Sequence, residues 1–184
     1  ALDPLGAKNG SSFLGAGAMT EGDQPFSLRR CDPRQERAVL VEAVAALQDF
    51  ERAVEPRLPE GAAVAARYVD AMVQRCMAFR GAIFLAERTS QVAGFCCVLA
   101  RVTDSALTEG QRTYASLGEL FVYPAFRGQG AARALLSVAQ AFAREGGSAT
   151  LRVQVLAANE GARATYDQLG FRPRLLELEK PLTP

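Results

Sequence analysis

A glycine-containing hexapeptide at residues 127–132 has the composition and setting of a phosphate-binding loop. It follows an apolar, strand-like run at 120–124 and leads into an amphipathic, helix-like run at 132–144. Glycine lets a backbone approach a ligand closely, and the free N–H groups and dipole of a helix's first turn favour an anion. The spacing therefore predicts that a phosphorylated ligand binds here. The loop residues are Arg127, Gly128, Gln129, Gly130, Ala131 and Ala132.

The chain contains no histidine, and this limits the chemistry it can perform. The absence excludes a Ser-His-Asp or Cys-His nucleophile and a histidine-ligated metal, and we expect no metal. Proton transfer must then use carboxylates, tyrosine, lysine, cysteine or water. The four cysteines show no metal-binding spacing, and we expect adjacent Cys96 and Cys97 to pack as small hydrophobic side chains. This cysteine usage favours a reducing cytoplasm.

Bulk composition predicts one globular domain. The chain has 184 residues, of which 49% are apolar, and a net charge of +1. These values argue against a disordered chain, a nucleic-acid groove and a membrane-binding surface, and no apolar run is long enough to span a bilayer. Residues 1–24 are rich in Gly, Ala and Ser and are predicted to be a flexible segment, with the domain at 25–184. The sequence at Met19 is typical of a native start, which makes 1–18 an expression remnant; the alternative is a natural leader.

Hydrophobic periodicity and turn residues predict an α/β chain with the element order β-α-α-β-β-β-α-β-α-β. A short turn at 88–91 joins two apolar runs into an antiparallel hairpin, and the unit from 114 to 156 is a strand–helix–strand crossover between parallel strands. We therefore expect a mixed, mostly antiparallel sheet with one parallel pair, flanked by helices. The predicted strands are 26–30, 83–87, 92–102, 114–123, 151–156 and 175–178, and the predicted helices are 33–50, 62–79, 132–144 and 159–169.

Two blocks of sequence carry a resemblance to a known family. The first is Glu119-Leu120-Phe121-Val122-Tyr123-Pro124 followed by the hexapeptide, which fits the pattern Arg/Gln-x-x-Gly-x-Gly/Ala. The second is Asn159-x-x-Ala162-x-x-x-Tyr166-x-x-x-Gly170-Phe171. In this order, separated by one strand, they resemble the GNAT superfamily of acetyl-CoA-dependent N-acetyltransferases. A dinucleotide fingerprint fits less well, because Arg133 stands where a third glycine is needed, and the Walker lysine is absent.

The resemblance implies that acetyl-CoA binds across the loop and the strand before it. Backbone N–H groups of the loop would hold the pyrophosphate, and Arg133 would add charge or remain a solvated helix residue. Two splayed parallel strands, at 118–123 and 150–156, would receive the pantetheine arm, and a backbone N–H near Val122 or Tyr123 would polarise the thioester carbonyl. The implied acetyl-CoA contacts are Leu120, Phe121, Val122, Arg127, Gly128, Gln129, Gly130, Ala131, Ala132, Asn159 and Tyr166. Asn159 is alternatively only a helix cap.

Tyr166 is the general acid that the resemblance implies. Its phenol, with an ordinary pKa of about 10, can return a proton to a departing thiolate whose pKa is about 8.5. The alternative is that Tyr166 is an aromatic on a buried helix face with Ala162 and Leu169. Cys96 or Cys97 as an acyl-enzyme nucleophile is a weaker alternative, because strand cysteines are usually buried and inert.

Glu119 is the expected general base. An attacking amine must first lose a proton, and without histidine a carboxylate, acting through water, must accept it. Members of the family often have an acidic residue near this position, on the strand that leads to the loop. Strand alternation puts Glu119 on one face with Phe121 and Tyr123, and Leu120 and Val122 on the other. The alternative is a carboxylate held by a neighbouring arginine.

The acceptor site is expected at 49–60, because the family covers its acceptor with the first two helices and their connection. Four carboxylates around Phe50, including Glu51, would attract a cationic amine by their field, and Tyr123 would lie beside the acceptor. The alternative is a solvated helix end with Arg52 and Arg57 interleaved.

We therefore expect a bacterial-type, cytoplasmic enzyme that transfers acetyl from acetyl-CoA to a primary amine of a small molecule or peptide. The amine would attack directly in a ternary complex, with no nucleic-acid or membrane partner. The alternative is a non-catalytic acetyl-CoA-binding sensor or interaction module; transfer to a hydroxyl, or of a longer acyl group, is a third reading. A homodimer is common in the family, and the segment 175–182 could contribute an edge.

Overall fold

The computed structural model describes residues 25–182, and the expected flexible segment at 1–24 and native start at Met19 lie outside them. The strands are β1 (Ser27–Arg30), β2 (Gly81–Arg88), β3 (Gln91–Thr103), β4 (Thr113–Val122) and β5 (Leu151–Val153). The α-helices are α1 (Arg37–Arg52), α2 (Gly61–Ala78), α3 (Ala131–Glu145) and α4 (Glu160–Gln168).

The strands form one sheet in the order β1-β2-β3-β4-β5. Strands β1 to β4 pair antiparallel with their neighbours, whereas β4 and β5 pair in parallel. Helix α3 makes the crossover between the parallel strands. This confirms the predicted mixed, mostly antiparallel sheet with one parallel pair.

Helices cover both faces of the sheet because the central strands are apolar on both sides. On one face, α1 and α2 bury Leu40, Val44, Val69 and Met72 against side chains that include Phe95. On the other face, α3 packs with Leu135, Leu136 and Ala139 against side chains that include Phe84 and Val98. Adjacent Cys96 and Cys97 point to opposite faces and are fully buried, as small hydrophobic side chains. Within residues 25–182, no helix has the length and apolar character needed to cross a membrane.

An extra residue in β4 sets which side chains face the α1 and α2 layer. Glu119 pairs with Cys97 and Leu117 with Val98, so that Gly118 is a bulge between them. Leu117 therefore packs on the α3 side, although simple alternation would place it with Glu119. Beyond the bulge, Phe121 joins the α1 and α2 core, whereas Leu120 and Val122 pack on the other side, as predicted.

The predicted strand at 175–178 is wrong. Residues 169–182 form no regular element, and Leu175, Leu176 and Leu178 are exposed. A strand needs a neighbour to accept its backbone hydrogen bonds, and within residues 25–182 the sheet ends at β5. That strand is itself only three residues long and is shorter than the predicted 151–156.

Candidate functional site

The loop between β4 and α3, where an anion site is expected, contains two glycines in the left-handed region of backbone conformation. Gly128 and Gly130 have φ values of 73° and 92°, a region that other residues adopt only with strain. A Cβ built on either glycine would have no heavy atom within 4 Å, so the loop faces open space. The first-turn N–H groups of α3 begin at Ala131, directly after the second of these glycines.

The buried side chain of Arg88 contacts the loop through Gln129, and the sequence analysis did not predict this contact. Arg88, at the end of β2, is only 6% exposed and donates from Nη1 to Oε1 of Gln129. Gln129 in turn donates from Nε2 to the carbonyl of Ala125 at 2.8 Å. The guanidinium of Arg88 also stacks on the ring of Phe26 at 3.8 Å. The side chain of Gln129 is thus turned away from the ligand side of the loop, and only its backbone remains to bind there.

Arg127 points along the end of β4 rather than out from the loop. Its Nε donates to the carbonyl of Val122 at 3.0 Å, and its guanidinium lies 4.3 Å from the ring centroid of Phe50. The side chain therefore bridges the loop to the end of α1.

The parallel strands β4 and β5 separate beside the loop. Their pairing covers only Ala115↔Leu151, Ser116↔Arg152 and Leu117↔Val153. Beyond these pairs the chains diverge, and a cavity of about 600 Å³ opens between residues 118–122 and 153–156. The expected splay is present. The cavity also reaches Phe50, Glu51, Tyr68, Gly128, Gly130, Ala131, Ala132, Arg133, Asn159 and Tyr166.

The backbone of β4 offers one of the two expected donors to this cavity. The N–H of Tyr123 donates to the carbonyl of Ala93 in the neighbouring segment of β3 at 2.9 Å, so it is already used. Because successive N–H groups of a strand point to opposite edges, the N–H of Val122 points toward the cavity. Only Val122 therefore remains as the expected donor to a thioester carbonyl.

Glu119 lies at the cavity as part of a buried ionic cluster. Its side chain is 2% exposed, and Oε1 accepts from the hydroxyl of Tyr68 at 2.6 Å and from Nη2 of Arg75 at 2.5 Å. Its second oxygen, Oε2, is buried and has no hydrogen-bond partner within the described residues. The alternative interpretation of Glu119 requires a neighbouring arginine, and Arg75 on α2 is that arginine. Burial and the charge of Glu119 raise the pKa of Tyr68 and keep its phenol protonated.

Tyr166 reaches the same cavity from α4. Its ring packs edge-on against Phe171, with centroids 5.3 Å apart, and it borders the α3 core. Burial, followed by the charges of Glu51 and Cys96, raises the pKa of Tyr166 to about 12. Tyr166 is therefore both a core aromatic and a protonated cavity group. Asn159 caps α4, since its Oδ1 accepts from the N–H of Ala162 at 3.0 Å, and it also lines the cavity.

The end of the cavity beside Phe50, where the acceptor is expected and which is called the acceptor end below, contains one of the four acidic residues predicted there. Asp49 accepts from the N–H of Gly61 at 2.7 Å, and Glu55 pairs with Arg57 at 2.7 Å. Asp49, Glu55 and Glu60 therefore fit the alternative interpretation, in which this region is a solvated helix end. Glu51 lines the cavity with Phe50, and burial, followed by the charge of Glu119, raises the pKa of Glu51.

Tyr123, expected beside the acceptor, and Cys96 and Cys97, considered as alternative nucleophiles, lie outside the cavity lining. Tyr123 packs against Phe121, with ring centroids 5.1 Å apart, in the α1 and α2 core, and it does not line the cavity within residues 25–182. The thiols of Cys96 and Cys97 are buried, and burial raises the pKa of Cys96 to about 12, which disfavours a thiolate nucleophile. The described residues contain no group of three or more acidic or cysteine side chains placed to hold a metal ion.

Comparison with known proteins identifies the family. The family model described as "Acetyltransferase (GNAT) family" matches residues 44–171. No curated protein sequence matches the chain significantly.

Solved structures of similar fold span several activities. A GCN5-related N-acetyltransferase from Ralstonia eutropha JMP134 is 18% identical, with a TM-score of 0.67 over 86% of this chain and 99% of that one. A transcriptional regulator from Bacillus halodurans C-125 is 21% identical, with a TM-score of 0.63 over 86% and 100%. An aminoglycoside acetyltransferase from an uncultured soil metagenomic sample is 18% identical, with a TM-score of 0.59 over 87% and 100%. These likenesses concern the fold.

Proposed function

Because the chain belongs to the acetyltransferase (GNAT) family, we propose that it transfers acetyl from acetyl-CoA to a primary amine of a small molecule or peptide. The observation that carries the proposal is one continuous cavity, which runs from the glycine loop to Tyr166, Glu119 and Glu51. It places an anion site, a proton donor and carboxylates around the gap between two strands.

The residues present suit acetyl-CoA. The open face of the loop at Gly128 and Gly130 leaves room for a pyrophosphate on the N–H groups of residues 129–132. The unpaired edges of residues 118–122 and 153–156 offer backbone partners for a pantetheine amide, with Asn159 beside them. Bound acetyl-CoA would supply the thioester, and the N–H of Val122 would stabilise the developing negative charge on its carbonyl oxygen.

Tyr166 serves as the proton donor in this proposal. A pKa raised to about 12 keeps the phenol protonated at neutral pH, so that it can donate a hydrogen bond to the departing sulfur. The same shift makes it a weaker acid. Tyr166 therefore gives up its proton only as negative charge accumulates on the departing sulfur.

Glu119 serves as the proton acceptor through its free oxygen. Oε1 is already occupied by Tyr68 and Arg75, whereas Oε2 has no partner within residues 25–182. Because Oε2 is buried, a water molecule must enter beside it when the acceptor amine binds. That water would carry the proton from the amine to Oε2, after which the neutral amine can attack directly in a ternary complex. Arg75 and Tyr68 fix the position of the carboxylate through Oε1.

Glu51 gives the acceptor end a preference for cationic amines. Within the described residues, no ion pair joins its carboxylate to an arginine or lysine, so its charge is available to an ammonium. Phe50 adds an aromatic surface beside it. The charge of Glu51 and the ring of Phe50 together favour a cationic amine as the acetyl acceptor.

A non-catalytic acetyl-CoA-binding module is the second candidate. The pairing of Glu119 with Arg75 favours it, because a buried ion pair that occupies one carboxylate oxygen also serves a purely structural role. The unpartnered Oε2 and the protonated Tyr166 favour the enzyme instead. We place the activity in the cytoplasm and propose a homodimer as the assembly.

The test is release of the CoA thiol from acetyl-CoA with a panel of polyamines, amino acids, aminoglycosides and short peptides, alongside Tyr166→Phe. Aminoglycosides are included because one structural neighbour is an aminoglycoside acetyltransferase. Release with one acceptor class, reduced in the variant, supports the enzyme and names its substrate type. Acetyl-CoA binding without release across the panel supports the binding module, and product mass separates N-acetylation from O-acylation or a longer acyl group.

A further inference from the structure

Two cysteine thiols meet at the junction of α2 and β3. The Sγ atoms of Cys76 and Cys97 are 3.4 Å apart, and both cysteines are free. The other two cysteines lie elsewhere. Cys96 points to the opposite face of the sheet, where its thiol approaches the carbonyl of Leu135 at 3.6 Å, and Cys31 is buried next to β1. Cys76 and Cys97 therefore form a pair that the acetyl-transfer proposal does not use.

The pair combines one reachable thiol with one fully enclosed thiol. Cys76 is half-buried near the end of α2, whereas Cys97 is 1% exposed. Gly81 presses against Cys76 from β2, since a Cβ at residue 81 would lie 2.7 Å from the Cα of Cys76 and 2.9 Å from its Sγ. The backbone of β2 thus holds Cys76 in place, and the two thiols remain neighbours.

The surroundings distinguish the two thiols chemically. A hydrogen bond from Cys97 is the main cause that lowers the pKa of Cys76; burial and the charge of Glu119 oppose it, and the charges of Arg75 and Arg30 assist it. The same contact and burial raise the pKa of Cys97. Cys76 is accordingly the nucleophile, because it is the thiol that an oxidant can reach, whereas Cys97 is enclosed and reacts in a second step.

We propose that Cys76 and Cys97 form an oxidation site that a hydroperoxide converts into a disulfide linking α2 to β3. The thiolate of Cys76 attacks one peroxide oxygen, the O–O bond breaks, and the products are a sulfenic acid and hydroxide or an alkoxide. The sulfur of Cys97 then attacks the sulfur of Cys76, which forms the S–S bond and releases water with the proton from Cys97. The two thiols lose two electrons in total, and the peroxide gains them.

The disulfide would act on the acetyl-transfer site, and this part rests on the proposed function. An S–S bond is about 2.05 Å long, so the two sulfurs must approach each other by about 1.35 Å from their separation of 3.4 Å. Arg75, which precedes Cys76, is paired with Glu119, and Glu119 is the cross-strand partner of Cys97. The contraction therefore pulls α2 at the residue that holds the carboxylate, and displacements of this size slow enzymes by roughly tenfold to a hundredfold.

The test exposes the reduced, full-length protein to hydrogen peroxide and maps its peptides by mass spectrometry without reduction. We expect a cross-linked peptide pair that contains Cys76 and Cys97, has lost two hydrogens, and separates again with dithiothreitol. Cys76→Ser, at a half-buried position, should abolish it, and Cys96→Ala, on the same strand but the opposite face, should not. Oxidation of Cys76 to sulfinic acid without a cross-link, or cross-links that involve Cys96, would overturn the proposal.

A second readout separates this inference from the proposed function. Acetyl transfer by the peroxide-treated wild type should fall by about tenfold or more and return with dithiothreitol, while Cys76→Ser keeps its activity under the same treatment. A disulfide in a protein that transfers no acetyl group to any acceptor contradicts the proposed function and leaves the oxidation site intact. A disulfide that leaves transfer unchanged overturns the coupling to Glu119. Thermal melting of Cys76→Ser and Cys96→Ala verifies that both variants fold.

Discussion

The ionisable side chains at the cavity differ in how their charges are balanced. Glu119 is paired with Arg75 and Tyr68, whereas Glu51 lines the same cavity without a cationic partner in the described part of the chain. After burial, the negative charge of Glu51 is the next cause that raises the pKa of Tyr166. At the scale of residues, the site therefore contains a carboxylate in an ion pair (Glu119), a carboxylate without an ion pair in the described residues (Glu51) and a protonated phenol (Tyr166). Their roles can be separated by single substitutions.

Tyr166→Phe removes the phenol and keeps the ring that packs on Phe171. We expect kcat to fall by about a hundredfold, since a positioned acid is worth roughly 10² or more, while the Kd for CoA changes little. Steady-state kinetics and calorimetric titration with CoA measure the two quantities. Parallel losses in kcat and CoA affinity, or no loss in either, would contradict the role of Tyr166 as proton donor.

Glu51→Gln removes the free charge at the acceptor end without changing its size. We expect KM for a cationic amine to rise by about fivefold, the equivalent of roughly 1 kcal/mol, with kcat little changed. The matched control is Glu55→Gln, because Glu55 already pairs with Arg57 outside the cavity. An equal rise in KM in both variants would show that the general field of this region, rather than Glu51, attracts the amine.

At the scale of elements, an ionic network fixes how α1 leaves the sheet. Glu36 precedes α1 and accepts from both Nη atoms of Arg29, on β1, at 2.9 and 2.6 Å. It also accepts from the N–H of Asp32 at 2.9 Å, and Arg29 reaches Glu87 on β2 at 2.7 Å. The hydrogen bonds from Arg29, followed by that from Asp32, lower the pKa of Glu36 to about 2. The network therefore positions the helix whose far end carries Glu51.

This network predicts a loss of stability in acid. A carboxylate whose pKa is depressed in the folded state stabilises the protein above its unfolded pKa, which is 4.5 here, and this contribution disappears as the pH falls toward 2. We expect Glu36→Gln to lower the free energy of unfolding at pH 7 by about 1–2 kcal/mol, a figure reduced for solvent screening because Arg29 is partly exposed. Urea denaturation at pH 7 and pH 3 should show that the difference narrows in acid. Glu42→Gln, at an exposed position of α1, is the control, and a constant difference between Glu36→Gln and wild type would refute the assignment.

The close approach of β3 and β4 depends on a glycine next to the end of β4. A Cβ on Gly94 would lie 2.3 Å from the carbonyl oxygen of Phe121, which no side-chain adjustment can relieve. We expect Gly94→Ala to lower the free energy of unfolding by about 2 kcal/mol or more. Gly118→Ala, in the adjacent strand, is the control, because its Cβ would meet only the carbonyl oxygen of Cys97 at 3.8 Å. Equal stability of the two variants in urea denaturation would be inconsistent with this packing argument.

At the scale of the whole molecule, the last described segment presents apolar side chains to solvent. Leu175, Leu176, Leu178 and Leu182 are 74–89% exposed, and the segment is attached to the body through the ion pairs Arg57–Glu179 and Arg174–Asp104. Isolated exposed leucines are ordinary, but four within eight residues form the kind of surface that proteins use for association. The proposed homodimer would cover it.

The proposed dimer is tested by replacing three leucines together, as Leu175→Ser, Leu176→Ser and Leu178→Ser. Because the three leucines are exposed, the fold should survive and the melting temperature should not fall. Because the replacements remove the apolar surface, we expect a change from dimer to monomer in sedimentation equilibrium. Met77→Ser is the matched control, because Met77 is similarly exposed on α2, outside this segment. A wild-type protein that remains monomeric at all concentrations would remove the dimer from the proposal.

Local sequence determined the features that neighbouring residues encode by themselves. The helices followed from their apolar periodicity, the cap at Asn159 from its side chain, and the glycine loop from residues that must adopt positive φ at Gly128 and Gly130. Strand alternation also placed Glu119 on the same face as Phe121, where it contacts Tyr68 and Arg75 of α2. Each of these depends on contacts within a few residues or on the pattern along one element, so a linear sequence contains the necessary information.

Only the tertiary structure decided which distant side chains meet. Arg75 and Glu119 are 44 positions apart, Arg88 and Gln129 are 41 apart, and Cys76 and Cys97 are 21 apart. The bulge at Gly118 and the absence of a strand at 175–178 depend in the same way on what lies alongside. The physical reason is that hydrogen bonds and ion pairs between elements form only after packing has fixed the distance between them, and no periodicity along the chain records that distance.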